Sequence, residues 1–210
     1  MIDSLVLATA NPHKAEEIQA ILEDVGIPIQ TLNEFPDFPG VEEDGITCLD
    51  NAVKKAKATA AFTGRWALAD DTGLEVDALQ GRPGVYAARY AGEHATYEEN
   101  CQKLLEELHD VPLDQRTARF VTVVALSNPE GHTEIVEGIL EGSITQEFQG
   151  TGGFGYDPVF YVPQAGKTLA EMTFMEKNRV SHRARAVINA KSLLIKHRHQ
   201  QEKSGRSAAR

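Results

Sequence analysis

The sequence predicts an α/β fold, in which helices cover the faces of a mixed β-sheet. Two observations predict it. Strand-like apolar runs alternate with helical patterns in the first half of the chain, and the pattern of a β-hairpin follows in the middle. The 210 residues suffice for one large domain or for two small lobes that share a core. A hydrophobic content of 41% with 25% charged residues is typical of globular proteins.

The chain opens with a predicted strand, helix and second strand. Residues 4–9 form a short apolar run, and apolar residues between positions 15 and 25 then recur at helical spacing until Gly26 ends the helix. A second strand is predicted at residues 27–32, and the prolines and glycine of residues 36–40 mark a loop. A strand, loop and helix in this order create a helix N-terminus at which a phosphate can bind.

A second helix and two further strands follow. Thr47 is the predicted N-cap of a helix that ends near residue 62, because a threonine with an acid three residues later satisfies the first free N–H groups. A short buried strand at residues 66–69 then ends before Asp70-Asp71-Thr72-Gly73. Residues 74–79 alternate apolar and polar, as a half-exposed strand does.

The second half of the chain has a predicted helix at each end and strands between them. Thr96 caps a helix that ends near residue 109, and Ser181 caps a last helix that ends near residue 197. The predicted strands lie at residues 118–127, 133–140, 143–148 and 159–162. The first two flank an Asn-Pro-Glu-Gly turn, which is typical of a hairpin.

The formal net charge of −10 is unevenly distributed. The last 20 residues contain six basic residues and one acid, so the rest of the chain carries 15 basic and 30 acidic residues. Because such a body repels polyanions, we expect no nucleic-acid partner. The polar, basic stretch 198–210 has the composition of a disordered tail.

The composition also bears on location. No apolar run is long enough to cross a bilayer, and the first residues lack the basic start of a signal peptide. The cysteines, Cys48 and Cys101, have no metal-type spacing and fit a reducing compartment. We therefore expect a cytoplasmic protein without a membrane partner.

The stretch 150–158 carries four glycines within six residues, and it includes Phe154, Gly155, Tyr156 and Asp157. Such a cluster indicates a backbone that bends sharply or lets a ligand approach closely. A nucleobase that stacks on an aromatic ring and contacts backbone amides fits this loop. A tight turn whose aromatic residues pack in the core fits it equally well.

The loop after the first strand combines a hydroxyl, an amide and an ammonium group at the start of a helix. Its residues are Thr9, Ala10, Asn11, Pro12, His13 and Lys14. These groups suit a triphosphate, although the loop lacks the glycine spacing of a P-loop. The alternative is an Asn-Pro turn that only starts a helix.

Two adjacent acids, Asp70 and Asp71, directly follow a buried strand, which is unusual without a function. Their side chains point in different directions, so one can face a ligand while the other supports it. Mg²⁺ commonly binds one or two carboxylates together with substrate phosphates. A metal bound by Asp71 and by Glu42 or Glu43 is one interpretation, and a solvated acidic loop at residues 42–44 is the other.

Basic side chains form two further candidate groups. The second helix carries three lysines, including Lys55. One of them can reach a phosphate, and the alternative is that all three lie on a solvated face. Lys177, His182 and Arg183 lie near the start of the last helix, where their donors can contact the edge of a base. The alternative there is an ordinary capped first turn.

Taken together, these segments resemble the inosine triphosphate pyrophosphatase family. The matching segments are TANPHK at 9–14, EEDG at 42–45, Asn51-Ala52 with Lys55-Ala56, ADDTGL at 69–74, PGVYAARY at 83–90, GGFGYDP at 152–158 and SHR at 181–183. Each motif alone is weak, but seven in this order are specific. The resemblance covers roughly residues 4–195, and its one departure is Ala10, where the family usually has glycine.

The resemblance implies a fold and an activity. The implied fold is an elongated mixed β-sheet flanked by helices, in two lobes with a central cleft, over residues 1–197. The implied activity is Mg²⁺-dependent hydrolysis of ITP, dITP and XTP to the monophosphate and pyrophosphate, which removes deaminated purines from the nucleotide pool. The resemblance also implies a homodimer.

The resemblance further implies residue roles. Asp71 is the general base and a metal ligand, Asp70 supports it, and Glu42 and Glu43 are the other metal ligands. The implied triphosphate ligands are residues 9–14, Lys55 and Thr72. In the implied base pocket, Phe154 stacks on the base and residues 155–157 line the pocket. The implied donors to the 6-oxo group and its neighbours are Lys177, His182 and Arg183.

Three other functions are alternatives. A pyrophosphatase of related fold that acts on modified pyrimidine nucleotides would lack the Ser-His-Arg turn and the glycine loop in this form. A nucleotide sensor without catalysis would not need both Asp71 and a metal-binding Glu42. A nucleic-acid-binding module disagrees with the acidic body.

Overall fold

The computed structural model describes residues 2–208 of the chain and the side chains of residues 2–199. The α-helices of this described part are α1 (Pro12–Leu22), α2 (Cys48–Thr63), α3 (Tyr97–Glu107), α4 (Phe174–Val180) and α5 (His182–Ala208). Its strands are β1 (Leu5–Leu7), β2 (Ile29–Thr31), β3 (Trp66–Val76), β4 (Pro83–Gly84), β5 (Thr117–Ser127), β6 (Thr133–Ile144), β7 (Phe160–Val162) and β8 (Lys167–Thr168). Among the helices described, none has the length and apolar character needed to cross a membrane.

The strands form a mixed sheet in the order β2-β1-β3-β5-β6-β7-β8, and β4 pairs with β3. β1 runs parallel to β2 and to β3, with Leu5 opposite both Ile29 and Trp66. The pairs β3–β4, β6–β7 and β7–β8 are antiparallel. The predicted class, a mixed sheet with helices on its faces, is therefore confirmed.

The chain divides into two compact units. Unit 1 consists of residues 1–71, 123–138 and 183–210, and unit 2 of residues 72–122 and 139–182. The chain passes from one unit to the other within β3, β5 and β6 and at the start of α5. Asp71 and Thr72 are thus consecutive residues that belong to different units, and so are His182 and Arg183.

Unit 1 has a core of aliphatic side chains around β1, which is buried along its whole length. Ile18 and Leu22 of α1 and Val187 and Leu194 of α5 belong to this core. A second cluster joins Ala52 and Ala56 of α2 to alanines and valine of the neighbouring strands. Because alanine side chains are small, α2 can pack closely against β3.

α2 begins and ends as the sequence predicts. The side chains of Thr47 and Asp50 each accept a hydrogen bond from the other's backbone N–H, which forms a capping box. Gly64 ends the helix in the left-handed conformation, with a φ of +64°. The start of α2 is therefore fixed, and with it the direction of the side chains in its first two turns.

Unit 2 has its own core, to which β3, α3 and β5 contribute. Leu74 of β3 and Leu104 of α3 are fully buried in it. The rings of Phe120 and Phe160 lie 4.6 Å apart between centroids. This core supports the glycine loop, because Tyr156 and Val159 belong to it.

The prediction that a strand ends before Asp70 is wrong. β3 is continuous from Trp66 to Val76 and carries Asp70 and Asp71 in its middle, where both are buried. Two adjacent carboxylates inside a strand suggest a break when only the sequence is considered. The strand continues because cationic and amide side chains from other elements pair with both carboxylates.

Smaller differences concern the C-terminal third. α4 was not predicted, although Thr173 and Glu176 form the capping box that starts it. The strand predicted at residues 143–148 is the end of β6, which stops at Ile144. α5 extends past residue 197 to Ala208. Most of the predicted disordered tail, residues 198–210, lies outside the residues whose side chains are described, so its disorder stays a prediction.

Candidate active site

The loop before α1 is organised by the side chain of Asn11. Its Oδ1 accepts hydrogen bonds from the backbone N–H groups of His13 at 3.0 Å and Lys14 at 3.4 Å. The N–H of Asn11 in turn donates to Oγ1 of Thr9 at 3.2 Å. Pro12 occupies the first turn, where a missing N–H costs nothing. The loop therefore has the conformation of a capped helix start, and Ala10 lies exposed within it.

Asp70 is the centre of a buried ion-pair network in unit 1. Its Oδ2 lies 3.2 Å from Nζ of Lys14 and 3.0 Å from Nε of Arg183. Nη1 of Arg183 also lies 2.7 Å from Oε2 of Glu17, and these two side chains are nearly inaccessible to solvent. Two acids and two bases thus neutralise one another inside the unit.

These neighbours determine the charge of Asp70. Burial alone would raise the pKa of Asp70, but Lys14, Arg183 and Lys55 together lower it well below its ordinary value. Its Oδ1 is buried and has no hydrogen-bond partner among the described residues. These ion pairs favour the charged form of Asp70, whose Oδ2 contacts both Lys14 and Arg183.

Asp71, the next residue of β3, contacts a different set of side chains. Its Oδ2 accepts a hydrogen bond from Nδ2 of Asn51 at 3.2 Å, and its Oδ1 lies 3.5 Å from Nζ of Lys55. Lys55 also lies 2.7 Å from Oε2 of Glu43 and donates to the carbonyl of Asp70 at 2.8 Å. Lys55 therefore joins the acidic loop before α2 to β3.

The two neighbouring carboxylates have opposite pKa shifts. Burial raises the pKa of Asp71, Glu43 adds to this effect, and Lys55 and Lys14 oppose it. The pKa of Asp70 is lowered. The two adjacent carboxylates therefore lie in different electrostatic environments.

The acidic loop before α2 carries two further candidate carboxylates, Glu42 and Glu43. Both residues are exposed, and Glu43 pairs with Lys55. Among the described residues, no group of three or more His, Cys, Asp or Glu side chains is arranged as a metal site. Mg²⁺ keeps several waters and needs only one or two carboxylates beside substrate phosphates. Asp71 and Glu43, which both contact Lys55, supply carboxylate oxygens of the kind that this ion binds.

The glycine loop of unit 2 folds around the buried carboxylate of Asp157. Its Oδ2 accepts a hydrogen bond from the N–H of Phe154 at 2.8 Å and lies 2.5 Å from Nζ of Lys177. Gly153 has a φ of +71°, and a Cβ at this position would lie 2.0 Å from the same Oδ2. Glycine is required there because the carboxylate approaches the backbone so closely.

The ring of Phe154 contacts two other side chains. Nζ of Lys177 lies 4.3 Å from the ring centroid, within cation–π distance, and the ring of Tyr97 lies 6.0 Å away. Phe154 is only partly buried, so part of its ring is accessible. Lys177 thus contacts both the ring of Phe154 and the carboxylate of Asp157 and restricts the orientation of both side chains.

Tyr156 and Gly155 are held from within unit 2. Tyr156 is buried, its hydroxyl donates to the carbonyl of Ala87 at 2.8 Å, and burial raises its pKa. The carbonyl of Gly155 accepts a hydrogen bond from Sγ of Cys101 at 3.3 Å. The side chain of Tyr156 therefore supports the glycine loop from the core, as one of the two sequence interpretations proposes for the aromatic residues.

His182 is buried at the start of α5 and contacts Thr122 and Phe120. Its Nδ1 lies 2.6 Å from Oγ1 of Thr122, which is hydrogen-bonded to Oγ1 of Thr72 at 2.8 Å. The ring of Phe120 stacks on the imidazole, with 4.4 Å between centroids. The orientation of the His182 ring is therefore determined by β3 and β5.

The predicted residues fall into two groups in the structure. In unit 1, the network around Asp70 and Asp71 contains Lys14, Glu43, Lys55 and Arg183. In unit 2, contacts join Phe154, Asp157 and Lys177, and others join Thr72 and His182 through Thr122. Of the trio predicted at the base edge, Arg183 pairs with Asp70 and Glu17, Lys177 pairs with Asp157, and His182 contacts Thr122.

Residues 5–193 match the model of the Ham1 family. The chain belongs to the Ham1 family. The matched region agrees with the extent of the motifs, roughly residues 4–195, and leaves the basic tail outside.

Relatives of this Ham1-family chain are named dITP/XTP pyrophosphatase. The relative from Desulforamulus reducens is 52% identical over 190 residues, which cover 90% of this chain and 94% of that protein. The relative from Geobacter sulfurreducens is 53% identical over 183 residues, which cover 87% of this chain and 92% of that protein. The resemblance that the seven motifs indicate is therefore confirmed.

Solved Ham1 structures have the same fold. A HAM1 protein from Coxiella burnetii superposes with a TM-score of 0.84 at 42% identity, covering 92% of this chain and 98% of that one. The Ham1 protein from Staphylococcus aureus gives a TM-score of 0.81 at 38% identity, covering 91% of this chain and 97% of that one.

Sequence reasoning assigned no role to Glu17 or Thr122. Glu17 lies on α1 three residues after Lys14, so both face the same side of the helix, and this spacing is the one signal for it in the sequence. Its partner Arg183 is 166 residues away, which no local pattern reveals. Thr122 is an ordinary β-branched strand residue, and the sequence contains no signal for its contact with His182.

Proposed function

We propose that this Ham1-family chain hydrolyses deaminated purine nucleoside triphosphates, namely ITP, dITP and XTP, to the monophosphate and pyrophosphate with the help of Mg²⁺. dITP and XTP follow the names of its relatives, and ITP follows the resemblance that the motifs indicate. The observation that carries the reaction is the pair of adjacent buried carboxylates of β3, in which Asp70 pairs with Lys14 and Arg183 while Asp71 contacts Asn51 and Lys55. Such an activity removes deaminated purines from the nucleotide pool.

In the proposed mechanism, Asp71 acts as the general base. It accepts a proton from the water that attacks the α-phosphorus, and pyrophosphate leaves. Asn51 and Lys55 orient the carboxylate, and Asp70 keeps Lys14 and Arg183 in position.

The phosphates of the substrate require positive charge. Because the chain is acidic as a whole, individual basic side chains must supply this charge at the site. Lys14, Lys55, Thr72 and the capped start of α1 at residues 9–13 would bind the triphosphate. Asp71 with Glu42 or Glu43 would hold Mg²⁺, which offsets negative charge on the phosphate oxygens when it is bound. Lys55, which contacts Asp71 and Glu43, would then lie beside both the cation and the phosphates.

Base selection would fall to the glycine loop and its cationic neighbours. Phe154 would stack on the base, residues 155–157 would line the pocket, and Lys177, His182 and Arg183 would donate to the 6-oxo group and its neighbours. Adenine carries an amino group at that position and would leave the facing donors unpaired. Unpaired buried donors can reduce specificity constants by on the order of 10⁴-fold.

The bond that is cleaved tests this reaction directly. We would hydrolyse ITP in ¹⁸O-labelled water and locate the label by ³¹P NMR. The mechanism predicts IMP and pyrophosphate, with the label in IMP, because water attacks the α-phosphorus. Label in the pyrophosphate, or release of IDP and phosphate, would contradict it.

Substitution of Phe154 tests the base pocket. We expect Phe154→Ala to weaken ITP binding by roughly 1–3 kcal/mol, because one base loses its stacking partner. Isothermal titration calorimetry measures the change. Phe62→Ala is the control, since Phe62 is an exposed aromatic residue of α2 that contacts Phe38. Equal affinity of wild type and Phe154→Ala would mean that Phe154 only supports the loop.

The alternatives make different predictions. A pyrophosphatase for modified pyrimidine nucleotides would leave ITP intact and cleave those nucleotides instead. A sensor would retain bound ITP without releasing pyrophosphate. We further propose a cytoplasmic homodimer, as the family resemblance implies, and sedimentation equilibrium of the purified chain tests its association state.

A further inference from the structure

Asn51, in the first turn of α2, makes two hydrogen bonds of opposite kind. Its Oδ1 accepts from the backbone N–H of Gly45 at 2.8 Å, and its Nδ2 donates to Oδ2 of Asp71 at 3.2 Å. The side chain is buried, with 2% of the residue exposed. The amide serves both partners at once, because its oxygen accepts and its nitrogen donates, and the two partners determine which end carries the oxygen.

Asn51 and Gly45 approach each other very closely. A Cβ at Gly45 would lie 2.5 Å from Oδ1 of Asn51 and 2.7 Å from Cβ of Asp50. Gly45 ends the acidic loop that carries Glu42 and Glu43. The described residues 36–46 form neither helix nor strand, so the hydrogen bond to Asn51 is an anchor for the backbone of this loop.

The other end of the amide reaches the carboxylate that we propose as base and metal ligand. Asn51 belongs to a helix whose start is fixed by the Thr47–Asp50 capping box. Lys55, one turn later on the same face, spans the same two elements, from Glu43 to Asp71. Two neighbouring side chains of α2 thus connect the acidic loop to β3.

We propose that Asn51 is a positioning residue that holds the acidic loop and the carboxylate of Asp71 at a fixed separation, so that their oxygens bind one divalent cation. This inference rests on the proposed function for the identity of the metal ligands. Asn51 itself does not touch the cation. Its effect is to orient one ligand through Nδ2 and to place the others through the backbone of Gly45.

Asn100 provides a matched control within the same chain. Like Asn51, it is buried in the first turn of a helix with a capping box, and its Oδ1 accepts a backbone N–H, that of Ala91 at 2.7 Å. Its Nδ2, however, donates to the carbonyl of Ala88 at 3.1 Å and not to a carboxylate. Loss of this amide therefore removes similar hydrogen bonds without affecting the proposed metal ligands.

The experiment measures Mn²⁺ binding without nucleotide, by electron paramagnetic resonance, in wild type, Asn51→Leu, Gly45→Ala and Asn100→Leu. Leucine has nearly the shape of asparagine but forms no hydrogen bonds. We expect Asn51→Leu and Gly45→Ala to weaken Mn²⁺ binding about tenfold or more, the range for residues that orient metal ligands. Asn100→Leu should bind Mn²⁺ as wild type does.

Kinetics with ITP separate orientation from substrate binding. We expect Asn51→Leu to lower kcat while KM changes little, because the side chain of Asn51 contacts Asp71 and Gly45 rather than the proposed phosphate ligands. If Asn51→Leu fails to fold, Gly45→Ala decides, since Gly45 lies in a loop and its φ is outside the left-handed region.

Three results would overturn the inference. They are Mn²⁺ binding in Gly45→Ala as tight as in wild type, equal weakening in Asn100→Leu, and no Mn²⁺ binding by wild type. Absence of pyrophosphate release by wild type is a different failure. It would remove the proposed function, while the Mn²⁺ comparison would still decide whether Asn51 positions the carboxylates.

Discussion

Asp71→Asn should lower the rate of pyrophosphate release from ITP by about 10²- to 10⁴-fold, the range for loss of a general base. The amide has the shape of the carboxylate but cannot accept a proton from water. Its oxygen can still accept the hydrogen bond from Asn51, and the fold should be retained. ITP binding, measured by calorimetry at fixed metal concentration, should persist because Lys14, Lys55 and Phe154 are unchanged.

Asp77→Asn is the control for this variant. Asp77 follows the same strand, β3, and pairs with the partly exposed Arg119 of unit 2. Its substitution should leave the rate of pyrophosphate release close to that of wild type. Near-normal turnover in Asp71→Asn would remove Asp71 from the role of base and leave it as a metal or structural ligand.

Asp70→Asn should act mainly on stability. The substitution removes one of the two acids of a buried ion-pair network. The two cations, Lys14 and Arg183, are then left with Glu17 as the remaining acid. Breaking a buried ion pair on one side costs about 3–5 kcal/mol, because a charge is left buried without compensation. Denaturant unfolding followed by circular dichroism measures the free energy of unfolding.

The pH dependence of this loss has a definite sign. The pKa of Asp70 is lowered in the folded state, so its contribution is complete above its unfolded pKa and declines as the pH falls. The difference in unfolding free energy between wild type and Asp70→Asn should therefore shrink below about pH 4, where the unfolded carboxyl takes up a proton. A difference that grew towards low pH would contradict this network.

Asp24→Asn makes the same chemical change at the surface of unit 1. Asp24 pairs with Lys191, but its side chain is 76% exposed. Exposed ion pairs contribute little to stability, so this variant should unfold like wild type. If both variants lost equal stability, burial of Asp70 would not be the cause.

Local patterns predicted most of the fold. The caps at Thr47 and Thr96 follow from hydrogen bonds within a few residues, and the structure has them where the sequence predicts. β3 was divided in the prediction because Asp70 and Asp71 are poor strand residues. What keeps them in the strand are partners such as Lys14 and Arg183, which are distant in sequence.

The candidate site was predicted by residue type rather than by contact. Acids, lysines and the glycine loop are visible as motifs, but their pairing is not. The contact of Arg183 with Asp70 joins residues 113 apart, and that with Glu17 joins residues 166 apart. The position of Asn51 between Gly45 and Asp71 likewise depends on how α2 packs on β3. Such contacts follow from tertiary packing, which one sequence without its relatives does not reveal.

The measurement that tests the central claim most directly is pyrophosphate release from ITP, XTP, GTP and ATP at equal concentrations, with and without Mg²⁺. We expect release from ITP and XTP that depends on the metal, with little from GTP and ATP. Absence of release from all of them would contradict the proposed activity and direct attention to modified pyrimidine nucleotides. Equal release from ATP and ITP would contradict the assignment of the base pocket.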